Sequence, residues 1–251
     1  IATVGAADRA TAWAELLRQM KDGVKRSPHH AGSWEWLARA YHLLQPYVEG
    51  ADVFGLEAID QALALAPRDP TLFVLRGNIL FATAERQEQQ RETIDAKARG
   101  SLETGIRDGY RRAAEAYGRA VAIRQDDDTS RYQYAVALGR AGFVTQAREQ
   151  LELIMARHPN DASIYTEAAV LAISEKKPDQ AIEWLKTALE NDPSLWQAAI
   201  LHSDSYSEKK EFVRARAVLQ ALPATAKELP VVKDRLKRLE WEASSVRPVS
   251  R

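Results

Sequence analysis

The chain has 251 residues, 45% of them apolar, enough for one large domain or two small ones with a buried core. Lys plus Arg and Asp plus Glu each total 35, so no net field holds a polyanion such as nucleic acid or draws the chain onto an acidic membrane surface. The absence of cysteine excludes disulfides, thiolate zinc sites and thiol nucleophiles, and fits the cytosol and an oxidising compartment alike.

Ala, Leu, Glu, Gln, Lys and Arg recur at spacings of three and four with little alternation, which predicts an all-α protein. A first helix is expected over about 8–28, with Leu16 and Met20 on one face and Pro28 closing it. Residues 31–69 read as a helix pair carrying Trp34, Leu37, Ala38, Tyr41, Gly55, Ile59, Ala62 and Pro67 in order, with about five extra residues in "HLLQPYVEGADVFG". Residues 70–127 form a second pair through Phe73, Gly77, Leu80, Ala113, Tyr117 and Ala120, with Gln125 where a proline otherwise stands. A polar segment, 84–109, is inserted between its helices. Low hydrophobicity there is compatible with a disordered loop, while its helix formers and pairs such as Glu88 and Glu92 with Arg91 and Arg99 favour an extension of both helices into an arm. Gly100, Gly105 and Gly109 are its turn candidates.

Residues 128–161 align with 162–195 without a gap at a shift of 34. Ala135 and Ala169, and Ala147 and Ala181, fall where two helices cross closely, and Leu151 and Leu185 follow on the same face. Pro159 and Pro193 end the second helices, and Asp161 and Ser194 are placed to cap the next ones. A last unit, 196–227, carries Ser203, Tyr206, Ala215, Leu219 and Pro223. Residues 229–245, with Val232, Leu236 and Leu239 on one face, read as a polar-backed capping helix, and "VRPVSR" as a flexible tail. The whole of 1–251 is thus expected to form a single solenoid domain.

This order of aromatic, Leu, small residue, aromatic, Ala, large apolar residue, Ala and Pro resembles the tetratricopeptide repeat family. The resemblance implies a right-handed superhelical solenoid of antiparallel helix pairs whose first helices line a concave groove for a peptide or partner helix. Carried over position by position, that groove comprises Glu35, Arg39 and His42; Val74, Asn78 and Phe81; Tyr132, Val136 and Arg140; and Thr166, Val170 and Ile173. Packing against neighbouring helices competes as an account of some of them. Glu35 and Leu75 stand where family members that bind chaperone tails carry Lys and Asn, which argues against that ligand. The first 70 or so residues are also similar to the repeat domain of bacterial cytochrome c maturation factors, which implies a minor alternative, an apocytochrome-binding role.

Catalytic motifs are not found. His29 and His30 are adjacent in a loop, His42, His158 and His202 fall in different units, and Asp126, Asp127 and Asp128 occupy an inter-repeat turn suited to helix capping. The six tryptophans, Trp13, Trp34, Trp36, Trp184, Trp196 and Trp241, are read as core filling. The expected function is a non-catalytic protein-interaction adaptor, with no cofactor and no metal. The alternative is a structural subunit of a larger, membrane-associated assembly docking through the convex face or the 84–109 arm. No run approaches the roughly 18–20 apolar residues of a membrane span, so insertion is not expected. The first residue, Ile1, suggests a preceding signal peptide, anchor or tag, so the location stays open, with a bacterial periplasmic or membrane-associated one slightly favoured over the cytoplasm.

Overall fold

The computed structural model describes residues 6–91 and 95–245. The tail 246–251, and Glu92 in the insertion, lie outside the described residues. Within them the chain forms thirteen helices in the order α1 (Ala6–Arg26), α2 (Ala31–Leu44), α3 (Ala51–Leu65), α4 (Pro70–Gln90), α5 (Ala96–Ile123), α6 (Asp128–Ala141), α7 (Val144–Met155), α8 (Ala162–Ser174), α9 (Pro178–Asn191), α10 (Trp196–Glu208), α11 (Phe212–Gln220), α12 (Ala224–Lys227) and α13 (Pro230–Ser245). No described helix is long and apolar enough to cross a membrane.

The chain divides into two compact units, Ile1–Phe143 and Val144–Arg251. The sequence reading treats 1–251 as one domain; the division instead falls inside the 34-residue stretch 128–161, between α6 and α7.

The sequence period has a backbone counterpart at the junctions between helix pairs. His30, Asp69, Asp127, Asp161 and Leu195 each donate their amide to the carbonyl three residues earlier, at 3.2 to 3.3 Å. The second residue of each turn is Pro28, Pro67, Gln125, Pro159 or Pro193, the position whose φ proline fixes in advance. Asp69, Asp127 and Asp161 then cap α4, α6 and α8, accepting from Thr71, Ser130 and Ser163 amides. Asp127 thus serves as the cap of α6. Ser194 does not cap α10 as its position suggests: Asp192 instead accepts from the Ser194 amide at 2.9 Å and its hydroxyl at 2.7 Å, and Leu195 stands at the cap.

The first unit buries Leu37, Tyr41, Leu44, Ile59, Leu72 and Ile79 between α1 and α4, with Trp13 and Trp34 packed against them. Ala38, Ala58 and Ala62 sit at the crossings, almost wholly buried, because a larger side chain there would force the helices apart. In the second unit Ala169, Ala181, Leu185, Ala188 and Ala198 do the same, with Tyr165 and Trp184 alongside. Val232 and Leu239 of α13 close its end against Ala215, Leu219 and Leu222. Trp36 and Trp241 are corrections to the core-filling reading: they are 64% and 69% exposed.

The insertion is an extension of two helices. α4 runs 21 residues and α5 28, about 32 and 42 Å, and Gly100, Gly105 and Gly109 lie within α5 rather than at turns. A satellite core holds the pair together: Ala84, Ile106 and Tyr110 are buried, with Phe81, Leu102 and Ala141 packed around them. Glu88 does not pair along its own helix with Arg91. It accepts from the Tyr110 hydroxyl at 2.7 Å and pairs with Arg140 at 3.4 Å.

Candidate functional site

The first helices of the pairs in the first unit are α2, α4 and α6. Their helical registers bring His42 of α2, Asn78 and Phe81 of α4, and Tyr132 and Val136 of α6 around one open cleft of about 400 Å3. Ala82, Glu85 and Gln133 complete its walls, and Tyr117 of α5 forms part of its floor. A second cleft of about 600 Å3 adjoins it, sharing His42, Ala82 and Glu85 and continuing over Leu43, Gln45, Pro46, Arg86 and Gln89.

The floor is rigid because its polar groups are tied to one another. The Tyr117 hydroxyl donates to Asn78 Oδ1 at 2.8 Å, and Gln133 Nε2 reaches the same oxygen at 3.3 Å. Burial, and to a lesser degree the charge of Glu85, push the Tyr117 phenol well above its ordinary pKa, so it stays a donor. Tyr117 also lies directly over Gly77: a Cβ at Gly77 would stand 2.5 Å from the ring. The absence of a side chain at residue 77 thus sets the position of the floor.

At the other end Gln45 is buried. Its Nε2 donates to Ile79 O at 3.1 Å and Thr83 Oγ1 at 3.2 Å, which leaves Oε1 to accept from His42 Nδ1 at 2.7 Å. This fixes the imidazole tautomer: the proton is on Nδ1 and neutral His42 carries its lone pair on Nε2. Arg86 donates to Gln45 O at 2.5 Å and pairs with Asp52 at 3.5 Å, so its charge is used inside the fold.

Of the other residues expected in a groove, Glu35 and Arg39 pair with each other at 2.7 Å on α2 and do not line the clefts. Val74 is half-buried on α4, and Arg140 is bound to Glu88. Thr166, Val170 and Ile173 lie on α8 in the second unit. There Thr166 donates to Ala162 O at 2.8 Å and Ile173 packs on the core of its unit. The sequence does not mark Gln45, Ala82, Glu85, Arg86 and Gln133 as cleft residues, and it marks Tyr117 as a packing residue of the second pair. Gln45 sits among the extra residues of the first pair, and Ala82, Glu85 and Arg86 lie where α4 runs past the length of an ordinary repeat helix.

No group of three or more His, Cys, Asp or Glu side chains among the described residues is arranged to hold a metal ion.

No family model and no curated protein matches the chain. Solved structures do. Residues 41 to the end of MamA from Desulfovibrio magneticus RS-1 superpose with a TM-score of 0.55 at 16% identity, covering 80% of this chain and 95% of that one. A further MamA structure gives 0.55 at 14% identity over 88% of this chain and all of the other. The pilF protein of Pseudomonas aeruginosa gives 0.51 at 16% identity, over 85% and 93%. At this level of identity the likeness is one of fold. Together with the paired helices and the 34-residue spacing, it identifies the fold as the tetratricopeptide-repeat type.

Proposed function

We propose that the chain is a protein-interaction adaptor that receives a segment of a partner protein in the cleft of its first unit. The observation that supports this is the convergence of Phe81, Ala82, Tyr132 and Val136 from separate helices on one open, mostly apolar cleft, continuous with a second one through His42, Ala82 and Glu85. A concave cleft with apolar and aromatic walls and a few fixed polar groups is the usual form of a binding site. The floor is held by hydrogen bonds in advance, so a partner orders few groups on binding.

The test is a variant that fills the cleft without altering charge, Ala82→Trp with Val136→Trp, used beside the unmodified chain to capture partners from the native organism. A protein held by the unmodified chain and lost from the filled variant, with helical circular dichroism unchanged in both, supports the reading. Equal capture by both chains counts against it.

A second reading, a structural subunit docking through another face, rests on a different observation. Tyr47, Val53 and Phe54 are at least half exposed around the α2–α3 connection, outside the cleft residues. Partners lost on deleting 88–105 or on Val53→Lys, but kept by the cleft-filling variant, would favour it.

A further inference from the structure

Resting on the cleft reading above, we infer that the segment received there is cationic and apolar, with a Lys or Arg side chain seated against Glu85. The inference comes from an accounting of charge around the cleft. Glu85 is an exposed carboxylate that lines both clefts and also a third, of about 420 Å3, shared with Glu88, Gln89 and Arg91. Among the described residues it enters no hydrogen bond or ion pair, whereas Arg86, Glu88 and Arg140, the charged groups nearest the two larger clefts, are committed, and Arg91 lines the third cleft only. Arg86 is bound to Asp52 and to Gln45 O. Glu88 and Arg140 are bound to each other. Glu35 and Arg39, on the same helix as His42, are likewise paired.

Among the described residues Glu85 is therefore the one unmatched charge in the cleft of Phe81, Tyr132 and Val136, and none of them places a cation in its lining. His42 adds to the preference. Its Nδ1 proton is held by Gln45, so what remains on the neutral ring is an acceptor, Nε2. A carboxylate and an imidazole lone pair beside aromatic and aliphatic walls suit a donor with a long apolar stem. Lys and Arg have this form, since their methylenes cover apolar surface while the head group pairs. An acidic or carboxylate-terminated segment would instead place like charge against Glu85 with no Lys or Arg in the lining of that cleft to offset it.

The test is selection from a random peptide display library on three chains: the unmodified one, Glu85→Lys, and Ala82→Trp with Val136→Trp. The expected result is enrichment of Lys or Arg flanked by large apolar residues on the unmodified chain, and a shift to Asp or Glu between the same apolar residues on Glu85→Lys. No enrichment is expected on the filled variant. For a selected basic peptide, Glu85→Gln should raise Kd about fivefold, the upper range for an exposed ion pair. Apolar peptides with no charge preference, selected equally by the unmodified chain and Glu85→Lys but lost from the filled variant, overturn the cationic occupant and leave the cleft reading standing. Peptides selected equally on the filled variant, or no enrichment on any chain, overturn both.

Discussion

Trp34 donates its indole N–H to the carbonyl of Pro28 at 2.8 Å, tying the first helix of one pair to the turn that precedes it. Six residues after the corresponding turn residue in two other junctions, the same carbonyl is met by a different group: the Tyr165 hydroxyl at Pro159 (3.0 Å) and the Arg131 guanidinium at Gln125 (2.7 Å). The geometry is kept while the donor changes. At the Pro67 turn the equivalent position is Phe73, which has no donor. Tyr165→Phe should lower stability by about 0.5–1.5 kcal/mol, the net worth of one hydrogen bond, at nearly constant packing, and Trp34→Phe by more, because it also removes part of a ring packed on the core. Urea unfolding of the two variants measures this, and an unchanged midpoint would show that the bond contributes nothing net.

A second feature also repeats every 34 residues. Gly142, Lys176 and Lys210 follow the ends of α6, α8 and α10 with φ of 92°, 58° and 61°. In each case the next amide reaches back five residues, Phe143 to Leu138, Lys177 to Ala172 and Glu211 to Tyr206, at 2.9 Å. This is the left-handed helix-ending turn that glycine adopts without steric cost and other residues adopt at about 1–2 kcal/mol. Lys176→Gly and Lys210→Gly should each stabilise the chain by about 0.5–1 kcal/mol, the relief of strain being partly offset by the greater freedom of glycine in the unfolded chain. Gly142→Ala should destabilise it by about 1 kcal/mol. Thermal midpoints of the three variants test the assignment, and its failure would be a Lys→Gly midpoint below that of the unmodified chain.

These repeated contacts explain how much of the molecule was legible beforehand. Ala135, Ala169, Ala147 and Ala181 could be read as crossing points because close helix packing admits only small side chains there, whatever the surface carries. His42, Asn78, Phe81, Tyr132 and Val136 could be named together because the resemblance to the repeat family carries its groove positions onto them. The arm was harder. Leu102 and Ile106 are two apolar residues in a strongly polar stretch, and only their packing with Phe81 and Tyr110 shows that the segment has a small core. Glu85 and Arg86 fall beyond the end of a standard repeat helix, so no position rule reaches them. Their different states, one unpaired and one bound to Asp52, depend on contacts between distant parts of the chain. The start of α10 is hard to read for a local reason: Asp192 and Ser194 are both good capping residues, but they bond to each other within the turn and leave Leu195 at the cap with no side-chain acceptor.

Gly77 gives a prediction that connects packing to the cleft. Its α-carbon faces the Tyr117 ring so closely that a Cβ would approach three ring atoms to between 2.5 and 2.8 Å, well inside van der Waals contact. Tyr117 is almost fully buried, and its hydroxyl is held by Asn78, so the ring has little room to retreat. Gly77→Ala should cost about 1–3 kcal/mol by overpacking and displace the cleft floor. Adding Tyr117→Phe to Gly77→Ala should not restore stability, since the ring remains, whereas Gly77→Ala with Tyr117→Leu should recover part of it. A double-mutant cycle with no coupling between residues 77 and 117 would show that the contact is relieved elsewhere.

The second unit contains a titratable group with a predictable pH signature. His202 is buried, stacked on Tyr206 with ring centroids 4.9 Å apart, and neither ring nitrogen has a hydrogen-bond partner among the described residues. Burial pushes its pKa down to about 4, with only a weak opposing pull from Glu183. In the unfolded chain the ring titrates near about 6.5. As pH falls from about 6.5 to about 4 the unfolded state takes up a proton that the folded state excludes, so stability is lost across that window. The loss is on the order of 2–3 kcal/mol, and this group adds none below it. Asp204 acts in the opposite sense, because burial raises its pKa against the pull of Arg235. The two are separated by His202→Phe, which keeps the stack on Tyr206 and removes the titration. Urea unfolding followed by tryptophan fluorescence at pH 7.5 and pH 5 should show the unmodified chain losing more stability than His202→Phe. An equal loss in both chains would mean that the buried imidazole is not the source of the acid sensitivity.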